Sequence, residues 1–421
     1  MTHPESTTCA VVGGGPAGMV LGLLLARAGV QVSVFEKHAD FFRDFRGDTV
    51  HPVTLTLLDD LGLYPKFQAM PHSEVGTFGL QTNGRRVVFS DFRRLREPHP
   101  VLALVPQWDL LNLLAEAAKA EPTFTLRMQT EVTGLLYDGE RIAGVRYQGP
   151  DGPGELRAEL TVACDGRTST VRSEAGMVPQ EFPVPFDVAW FRLDAKSDIK
   201  YELAPRISDK LMLILIPREG YFQTGAFLPK GSEPQLHARG LDSFRTQVAA
   251  LVPEAAIDSL NSWDDVRILD ARVNRLHRWY KPGLLCIGDA AHAMSPVGGV
   301  GVNLAIADAV AAAGILAEPL KQHRLADSDL AAVESRRKMP AVLTQNAQRL
   351  LHRAFARILS GNPLPKPPAF VTRAAATLWS LVPAASVIPA HLVGVGVRPE
   401  RAPQFARRPA QPASADPPPP R

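Results

Sequence analysis

The sequence predicts an α/β fold in which a Rossmann-like nucleotide-binding domain carries an inserted antiparallel-sheet domain and ends in a C-terminal helical segment. A short apolar strand, Ala10–Val12, runs directly into a glycine-rich turn and then into an apolar, helix-forming segment, Met19–Ala28. Two later strand patterns, Val188–Leu193 and Leu211–Ile216, follow each other without a helix between them. The first arrangement is typical of a βαβ unit, and the second is typical of an antiparallel sheet.

The glycine-rich turn has the spacing of a dinucleotide-binding turn. Gly13, Gly15 and Gly18 follow the strand at once, and Pro16 and Ala17 lie between them. We expect Gly13 to make the tight turn, Gly15 to let a pyrophosphate approach the backbone, and Gly18 to let the helix pack close to the strand. The N–H groups at the start of the helix would then face the anion.

A second predicted strand, Gln31–Phe35, ends at an acidic residue. Glu36 follows the glycines by about 20 residues, where a carboxylate accepts hydrogen bonds from a ribose diol. Because this carboxylate would repel a 2′-phosphate, the sequence favours FAD or NAD over NADP at this site. Lys37, the next residue, is a further candidate contact to the nucleotide.

Two more turns place an aspartate after an apolar strand. Asp165 follows the strand Leu160–Cys164, and Gly288 and Asp289 follow the strand Leu284–Ile287. Asp289 is a candidate ligand for a polyhydroxylated group, although a helix N-cap would explain the same residue. We expect the nearby His292 to be a structural, hydrogen-bonded histidine and not a proton donor.

The second of these turns leads into a long apolar helix. Pro296, Gly299 and Gly301 precede it, and its first residues are Val302 and Asn303. Backbone N–H groups at the positive end of a helix dipole suit an anion, such as the reduced edge of a flavin.

Composition and charge exclude several function classes. A net charge of +3 without a dense basic cluster gives no indication of nucleic-acid binding. Cys9, Cys164 and Cys286 are widely spaced and sit in apolar strands, so we expect buried thiols, no disulfide, no metal site and a cytoplasmic location. The apolar segment Ala374–Val395 predicts packing against the protein body, with a peripheral membrane contact as the alternative.

Five motifs in this order resemble the FAD-dependent aromatic hydroxylases of the para-hydroxybenzoate hydroxylase type, over roughly residues 8–345. They are the glycine turn, Arg46-Gly47 ahead of Thr54–Leu63, Val105-Pro106-Gln107, Ala163–Arg172 with its Asp-Gly pair, and Gly288–Pro296. The resemblance implies a single-component flavoprotein that uses NAD(P)H and oxygen.

The resemblance also implies residue roles. Glu36 would bind the adenosine ribose, Arg46 and Gln107 would hold the phosphate and ribityl region of FAD, and Asp289 would bind the ribityl hydroxyls. Asp165 is similar to the family residue that links FAD and nicotinamide binding. Arg46 and Pro296 would lie near the flavin ring, and no general base is assigned.

The reaction implied by the family is hydroxylation of an aromatic or polyketide-like small molecule through a flavin C4a-hydroperoxide. The substrate would lie between the inserted sheet and the flavin. Alternating positions on the predicted strands make Trp190, Arg192, Tyr221 and Gln223 candidate wall residues, although each could equally be an ordinary residue of the sheet.

The predicted domains are discontinuous. The FAD-binding domain comprises 1–74, 100–180 and 270–345, and the substrate domain comprises 75–99 and 181–269. A hairpin over Gly76–Phe92, with Asn83-Gly84 as its turn, belongs to the substrate domain. Residues 346–396 form a C-terminal helical segment, and the Pro-rich residues 397–421 form a disordered tail.

Other functions remain open at this point. An FAD-dependent reductase of isoprenoid-type double bonds would share the fold, and the apolar C-terminal segment favours it. A non-enzymatic flavin-binding protein would bind FAD without oxidising NAD(P)H. The sequence Gly299-Val300-Gly301 also lacks the glutamine that many relatives place beside the flavin.

Overall fold

A computed structural model of the chain describes residues 5–42, 49–82, 85–196, 205–208, 211–218, 220–253, 255–361 and 386–410. Its helices are α1 (Pro16–Arg27), α2 (Pro52–Asp60), α3 (Tyr64–Gln68), α4 (Gln107–Lys119), α5 (Thr170–Glu174), α6 (Glu233–Ala238), α7 (Leu241–Leu251), α8 (Gly301–Lys321), α9 (Asp327–Leu359) and α10 (Val387–Gly394).

The strands lie mostly between α1 and α8. In chain order they are β1 (Ser6–Val12), β2 (Val32–Phe35), β3 (Thr49–Val50), β4 (Ser73–Val75), β5 (Thr77–Thr82), β6 (Arg85–Asp91), β7 (Leu102–Leu104), β8 (Phe124–Arg127), β9 (Glu131–Asp138), β10 (Arg141–Gly149), β11 (Gly152–Ala163), β12 (Gln180–Phe182), β13 (Phe186–Ala195), β14 (Pro205–Ile207), β15 (Met212–Arg218), β16 (Tyr221–Pro229), β17 (Ala255–Ala256), β18 (Arg267–Leu269), β19 (Val273–Arg275), β20 (Tyr280–Lys281) and β21 (Leu284–Cys286).

The central sheet has the order β20-β21-β11-β1-β2-β8, and β9 and β10 extend it through the first half of β11. Strands β21, β11, β1, β2 and β8 run parallel to one another, whereas β20 is antiparallel to β21. Their residues are apolar on both faces because helices cover the sheet. Helix α1 is buried along almost its whole length and packs against α4 and α8. The parallel arrangement brings the carboxyl ends of β1, β11 and β21 to one edge.

A second, antiparallel sheet has the order β14-β15-β16-β13-β17, with β18 also paired to β13. One face packs against α7, where the Phe191 and Phe244 rings lie 5.4 Å apart. Trp190 and Ile214 both pair with Gly225 and therefore share the opposite face. This face packs against α10 and against Val297, which is in the loop before α8. The predicted fold class is confirmed.

The hairpin predicted over Gly76–Phe92 forms, as β5 and β6, but it is a two-stranded sheet of its own. Among the described residues, no strand ladder joins it to the six-stranded sheet. Val75 and Phe92, which flank the hairpin, pack instead in the same apolar cluster as Ile216 of β15. Asn83 and Gly84 lie outside the described residues.

The C-terminal part differs from the prediction at two points. The boundary predicted between residues 345 and 346 falls inside α9, which continues unbroken for 33 residues. The disorder predicted for the tail is wrong for residues 397–410, because Ala402 and Ala406 are buried against the main core. The Pro-rich composition of this segment suggested disorder. In the structure, however, Arg401 donates to the Asp60 carboxylate, and the Ala406 carbonyl accepts from Arg27. These contacts hold the tail on α1 and α2.

Two apolar segments bear on membrane contact. The stretch Val297–Lys321 is long and apolar enough to span a bilayer, but 56% of its most apolar window is buried, as in a core helix. Of the segment Ala374–Val395, the structure describes residues from 386 onwards. There Ala390 and Val395 are buried, while Ile388 and Leu392 are exposed. The peripheral membrane contact stays a prediction.

Candidate functional site

The glycine turn has the geometry predicted for each of its three glycines. Gly13 has a φ of 105°, and an added Cβ would lie 2.4 Å from the Cys164 carbonyl oxygen. At Gly18 a Cβ would lie 1.9 Å from the Gly13 oxygen, whereas at Gly15 it would meet nothing within 4 Å. The backbone at Gly15 therefore faces open space at the start of α1, while its neighbours are closed in by protein. Pro16 is partly exposed beside it, and Ala17 is buried.

Three motifs that are far apart in sequence meet at this edge. Val12 pairs with Ala163, and Ala163 pairs with Cys286, so the three strands end side by side. Gly288 has a φ of 58°, and a Cβ there would lie 3.0 Å from the Ala305 Cβ and 3.5 Å from the Ala17 Cβ. The third turn is thus packed between the first turns of α1 and α8.

Glu36 lies at the end of β2, beside the glycine turn. Its side chain is buried, and it accepts hydrogen bonds from the Gly14 N–H at 3.2 Å and the His38 N–H at 3.0 Å. These bonds fix the carboxylate at the mouth of the turn. Lys37 is exposed next to it, and Gln107 is half-buried as the first residue of α4. Arg46 lies outside the described residues.

Asp165 and Asp289 occupy different environments at the site. Asp165 Oδ2 accepts from the Val171 N–H at 3.1 Å, and Oδ1 is buried without a partner among the described residues. Burial raises the pKa of Asp165 above its usual range, against the hydrogen bonds around it. Asp289 is about a quarter exposed, and its Oδ2 lies 3.2 Å from Arg167 Nη2. This ion pair joins the second motif to the third.

The loop before α8 carries the predicted anion-stabilising groups. Gly298 and Gly299 have φ values of 83° and 61°, which only glycine adopts readily, and Pro296 begins the turn. Gly301 and Val302 stand in the first turn of α8, whose N–H groups have no intrahelical acceptor. They point the positive end of the helix dipole toward the site.

The side chain of Asn303 is engaged within the protein. Its side-chain oxygen accepts from the His51 N–H and from Thr54 Oγ1, and its amide nitrogen donates to the Thr49 carbonyl at 3.1 Å. The side chain is thereby fully used in joining α8 to β3 and α2. Contact between Asn303 and a flavin would have to come from its backbone.

Sequence reasoning missed a buried ionic network behind the Gly288 turn. Asp308 on α8 accepts from the Gly288 N–H at 3.1 Å, from His292 Nε2 at 2.5 Å and from Arg337 Nε at 2.9 Å. Arg337 also contacts Glu400 at 3.2 Å. Burial alone would raise the pKa of Asp308, but His292 and Arg337 hold it below its usual value. His292 is structural in this arrangement, as expected.

The four predicted substrate residues share one face of the six-stranded sheet, but they differ in burial. Gln223 is buried and accepts from Arg218, and Trp190 lies over Gly225, where a Cβ would come within 3.0 Å of its ring. Arg192 is mostly exposed, pairs with Asp194 and lies 4.2 Å above the Tyr221 ring. Trp190 and Gln223 are therefore the better candidates for a wall.

These residues fit FAD. Gly15 leaves room for a pyrophosphate, and the Asp289 Oδ1 has no protein donor among the described residues. The first turn of α8 offers free N–H groups to an anionic ring edge. All three groups lie at the edge where the parallel strands β1, β11 and β21 end, which is where this fold binds dinucleotides.

Comparisons with known proteins agree with this assignment. The profile of the family described as "FAD binding domain" matches residues 6–347. The 6-methylpretetramide 4-monooxygenase of Streptomyces rimosus is 38% identical over 337 residues, covering 79% of this chain and 80% of that protein. The 12-dehydrotetracycline 5-monooxygenase/anhydrotetracycline 6-monooxygenase of Streptomyces rimosus is 32% identical over 319 residues, covering 71% and 60%.

A solved structure extends the similarity to the fold. The p-nitrophenol 4-monooxygenase of Pseudomonas putida superposes with a TM-score of 0.73 at 20% identity, covering 92% of this chain and 97% of that one. The family match, the identity to these relatives and the convergence of the three motifs confirm the resemblance predicted from sequence. The chain therefore belongs to the family of FAD-dependent aromatic hydroxylases, and it is an FAD-dependent oxidoreductase.

Proposed function

We propose that this protein is a monooxygenase that uses NAD(P)H and molecular oxygen to hydroxylate an aromatic or polyketide-like small molecule. One observation carries the proposal. The apolar face of the six-stranded sheet packs directly against Val297, in the loop between the Gly288 turn and α8. A flat apolar substrate lying on this face would be next to the part of the site that suits the flavin ring.

Bound FAD supplies the centre that accepts hydride and activates oxygen. The chain's own residues bind, orient and exclude water. Glu36, Gly15 and Asp289 would hold the ribose, the pyrophosphate and the ribityl chain, and the first turn of α8 would stabilise negative charge on the ring. Lys37, Arg46, Gln107 and Asp165 remain further proposed contacts.

The sheet face supplies substrate recognition in this proposal. Trp190, Ile214 and Ile216 offer an apolar surface, and Gln223 adds a polar group held by Arg218. The residues of α10, with Val393 in the same apolar cluster, cover this surface from outside and keep water away. The two relatives at 38% and 32% identity are named as monooxygenases of 6-methylpretetramide and of tetracycline precursors, which supports an aromatic or polyketide-like substrate.

We place the reaction in the cytoplasm. All three cysteines are free, and Cys9 and Cys286 are fully buried with pKa values raised by that burial. Thiols of this kind are inert and suit a reducing compartment.

The experiment measures NAD(P)H oxidation by the FAD-loaded protein with a panel of phenols and polycyclic polyketides, under labelled ¹⁸O₂. We expect a product that carries one ¹⁸O atom for each NAD(P)H consumed. Trp190→Phe should raise the substrate KM several-fold, whereas Trp263→Phe, on the opposite face of the sheet against α7, should not.

Reduction of the organic compound without oxygen, with oxygen yielding only hydrogen peroxide, would establish a reductase in place of a monooxygenase. Bound FAD with no NAD(P)H oxidation by any compound of the panel would instead favour the non-enzymatic alternative.

A further inference from the structure

A groove of about 490 Å³ opens beside α9, between this helix and the segment that leads into β13. Arg349 and Arg353 line it, together with Asn346 and His352 of the same helix. Pro183 and Leu350 are among its apolar walls. Its size is within the range of about 300–1,000 Å³ that is usual for small-molecule sites.

Arg349 and Arg353 bring two positive charges to the groove, and Arg275 lies beside it without lining it. The guanidinium carbons of Arg349 and Arg275 lie 4.6 Å and 5.2 Å from the same Phe182 ring, so these two cations are neighbours. Within the described residues, Arg275 bonds Gln345 and Arg349 bonds Asn346, both neutral amides, and none of Arg275, Arg349 and Arg353 has a carboxylate partner. Burial and the charge of Arg349 lower the pKa of Arg275.

The carboxylate next to Phe182 in the sequence is already engaged. Glu181 precedes Phe182 on β12 and accepts from the Asn274 side-chain amide at 2.9 Å. It pairs in register with Asn274, whereas Arg275 pairs with Gln180. Because adjacent positions on a strand point to opposite faces, Glu181 and Arg275 stand on opposite sides of the strand pair.

One lining residue connects the groove to the flavin end of the site. His352 is buried, and its Nε2 lies 2.9 Å from the Ser295 Oγ. Gln348, one turn earlier, donates to the carbonyls of Ser295 and Val297. The groove is therefore directly behind the segment Ser295–Val297, whose other side meets the sheet face.

We propose that this groove binds the phosphate groups of the pyridine nucleotide that reduces the flavin. The proposal rests on the proposed function, which requires NAD(P)H, and it deepens that function by giving the nucleotide a site. The sequence has one dinucleotide turn, at Gly13–Gly18, and FAD fills it. Planar guanidinium groups bind phosphate through paired hydrogen bonds, and the apolar walls accept the adenosine.

Two sources of phosphate are possible within one nucleotide, the pyrophosphate of both coenzymes and the 2′-phosphate of NADPH. The test uses binding of ADP and of 2′,5′-ADP to the FAD-loaded protein by calorimetry, alongside the KM for NADH and NADPH. Arg349→Ala and Arg353→Ala are compared with Arg357→Ala. Arg357 is exposed on the same helix and does not line the groove.

We expect each of the two groove variants to weaken nucleotide binding about tenfold or more, because each removes a charge-assisted hydrogen bond. The KM for NAD(P)H should rise by a similar factor, with kcat and FAD content within twofold of the wild type. Arg357→Ala should change neither. Loss of 2′,5′-ADP affinity alone would assign the groove to the 2′-phosphate, and loss of both ligands would assign it to the pyrophosphate.

Equal nucleotide affinity in the wild type and both groove variants would overturn the proposal, as would a rise confined to the KM of an acidic organic substrate. Binding of ADP and 2′,5′-ADP does not need turnover. Failure of the groove proposal can therefore be distinguished from failure of the proposed function. Arginine-dependent ADP binding without NAD(P)H oxidation would keep the groove and remove the monooxygenase. Hydroxylation that is unaffected by both variants would keep the monooxygenase and remove the groove as the nucleotide site.

Discussion

Gly15 and Gly18 differ in how much space surrounds them. Gly15 has extended backbone angles, φ −73° and ψ −175°, that any residue adopts, and its missing side chain would point into open space. At Gly18, an added Cβ would lie 1.9 Å from the Gly13 carbonyl oxygen. The same substitution at these two positions therefore separates cofactor binding from folding.

We predict that Gly15→Ala leaves the free energy of unfolding of the FAD-free protein within about 1 kcal/mol of the wild type, because its Cβ meets no protein atom. It should lower FAD affinity at least tenfold, since the methyl group enters the pyrophosphate path. Gly18→Ala should destabilise the FAD-free protein itself. Urea unfolding and flavin fluorescence titration check both variants, and unchanged FAD affinity in Gly15→Ala would place the pyrophosphate elsewhere.

His51 is a second residue whose burial has a measurable consequence. It is fully buried where α2 begins, and Nδ1 lies 2.6 Å from the Val393 carbonyl oxygen, which can only accept. Nδ1 therefore carries the proton, and Nε2 is left without a partner among the described residues. Burial lowers the pKa of His51 to about 4, although the bond to Val393 opposes this.

The unfolded chain binds a proton at His51 near pH 6.5, and the folded chain does so only near pH 4. Stability from this residue is therefore present above pH 6.5 and is lost as the pH falls toward 4, by about 3 kcal/mol in total. We predict that His51→Asn, which keeps a donor for Val393, flattens the pH dependence of urea unfolding in this window. A slope equal to that of the wild type in this window would contradict the prediction.

At the scale of elements, the sequence predicted those strands and turns that a local pattern of residues determines. Apolar strands that end in glycine or aspartate turns gave β1, β11 and β21 and the place where they meet. Asp308 and Arg337 had no such signal, because they are ordinary charged residues of helical segments until tertiary packing buries them. The packed tail was missed for the same reason, since its contacts are with residues far away in the sequence, some of them more than 300 positions, such as Asp60 and Arg27.

The element formed by residues 397–410 makes its main ionic contact through Glu400. Both carboxylate oxygens bond Arg336, and one also bonds the buried Arg337. We predict that Glu400→Gln lowers the free energy of unfolding by about 3 kcal/mol, because it leaves part of a buried guanidinium charge unpaired.

Arg401→Gln provides the control for this prediction. Arg401 is half-exposed and pairs with Asp60 in the same segment, so its loss should cost less than about 1 kcal/mol. Urea unfolding measures both variants. Equal midpoints for the two would show that the Arg337–Glu400 contact does not hold the tail to α9.

At the scale of the whole molecule, the cofactor would join parts of the chain that meet only in the folded state. The candidate FAD residues come from the ends of β1, β2, β11 and β21 and from the starts of α1, α4 and α8. A ligand that binds this assembly and not the unfolded chain stabilises the fold by mass action, by about 4 kcal/mol at a thousand times its Kd. Asp289 separates the effect of FAD from that of ordinary protein contacts, because the ion pair that it makes with Arg167 is partly exposed.

We predict that Asp289→Ala costs the FAD-free protein less than about 1 kcal/mol, because a partly exposed ion pair contributes little. Added FAD should raise the melting temperature of the wild type clearly, and should raise that of the variant much less at the same concentration, since one ribityl partner is gone. Thermal unfolding of both proteins across an FAD titration provides the measurement. Equal FAD-dependent shifts would remove Asp289 from the cofactor site. A large loss in the FAD-free variant would mean that the Asp289–Arg167 pair stabilises the fold by itself.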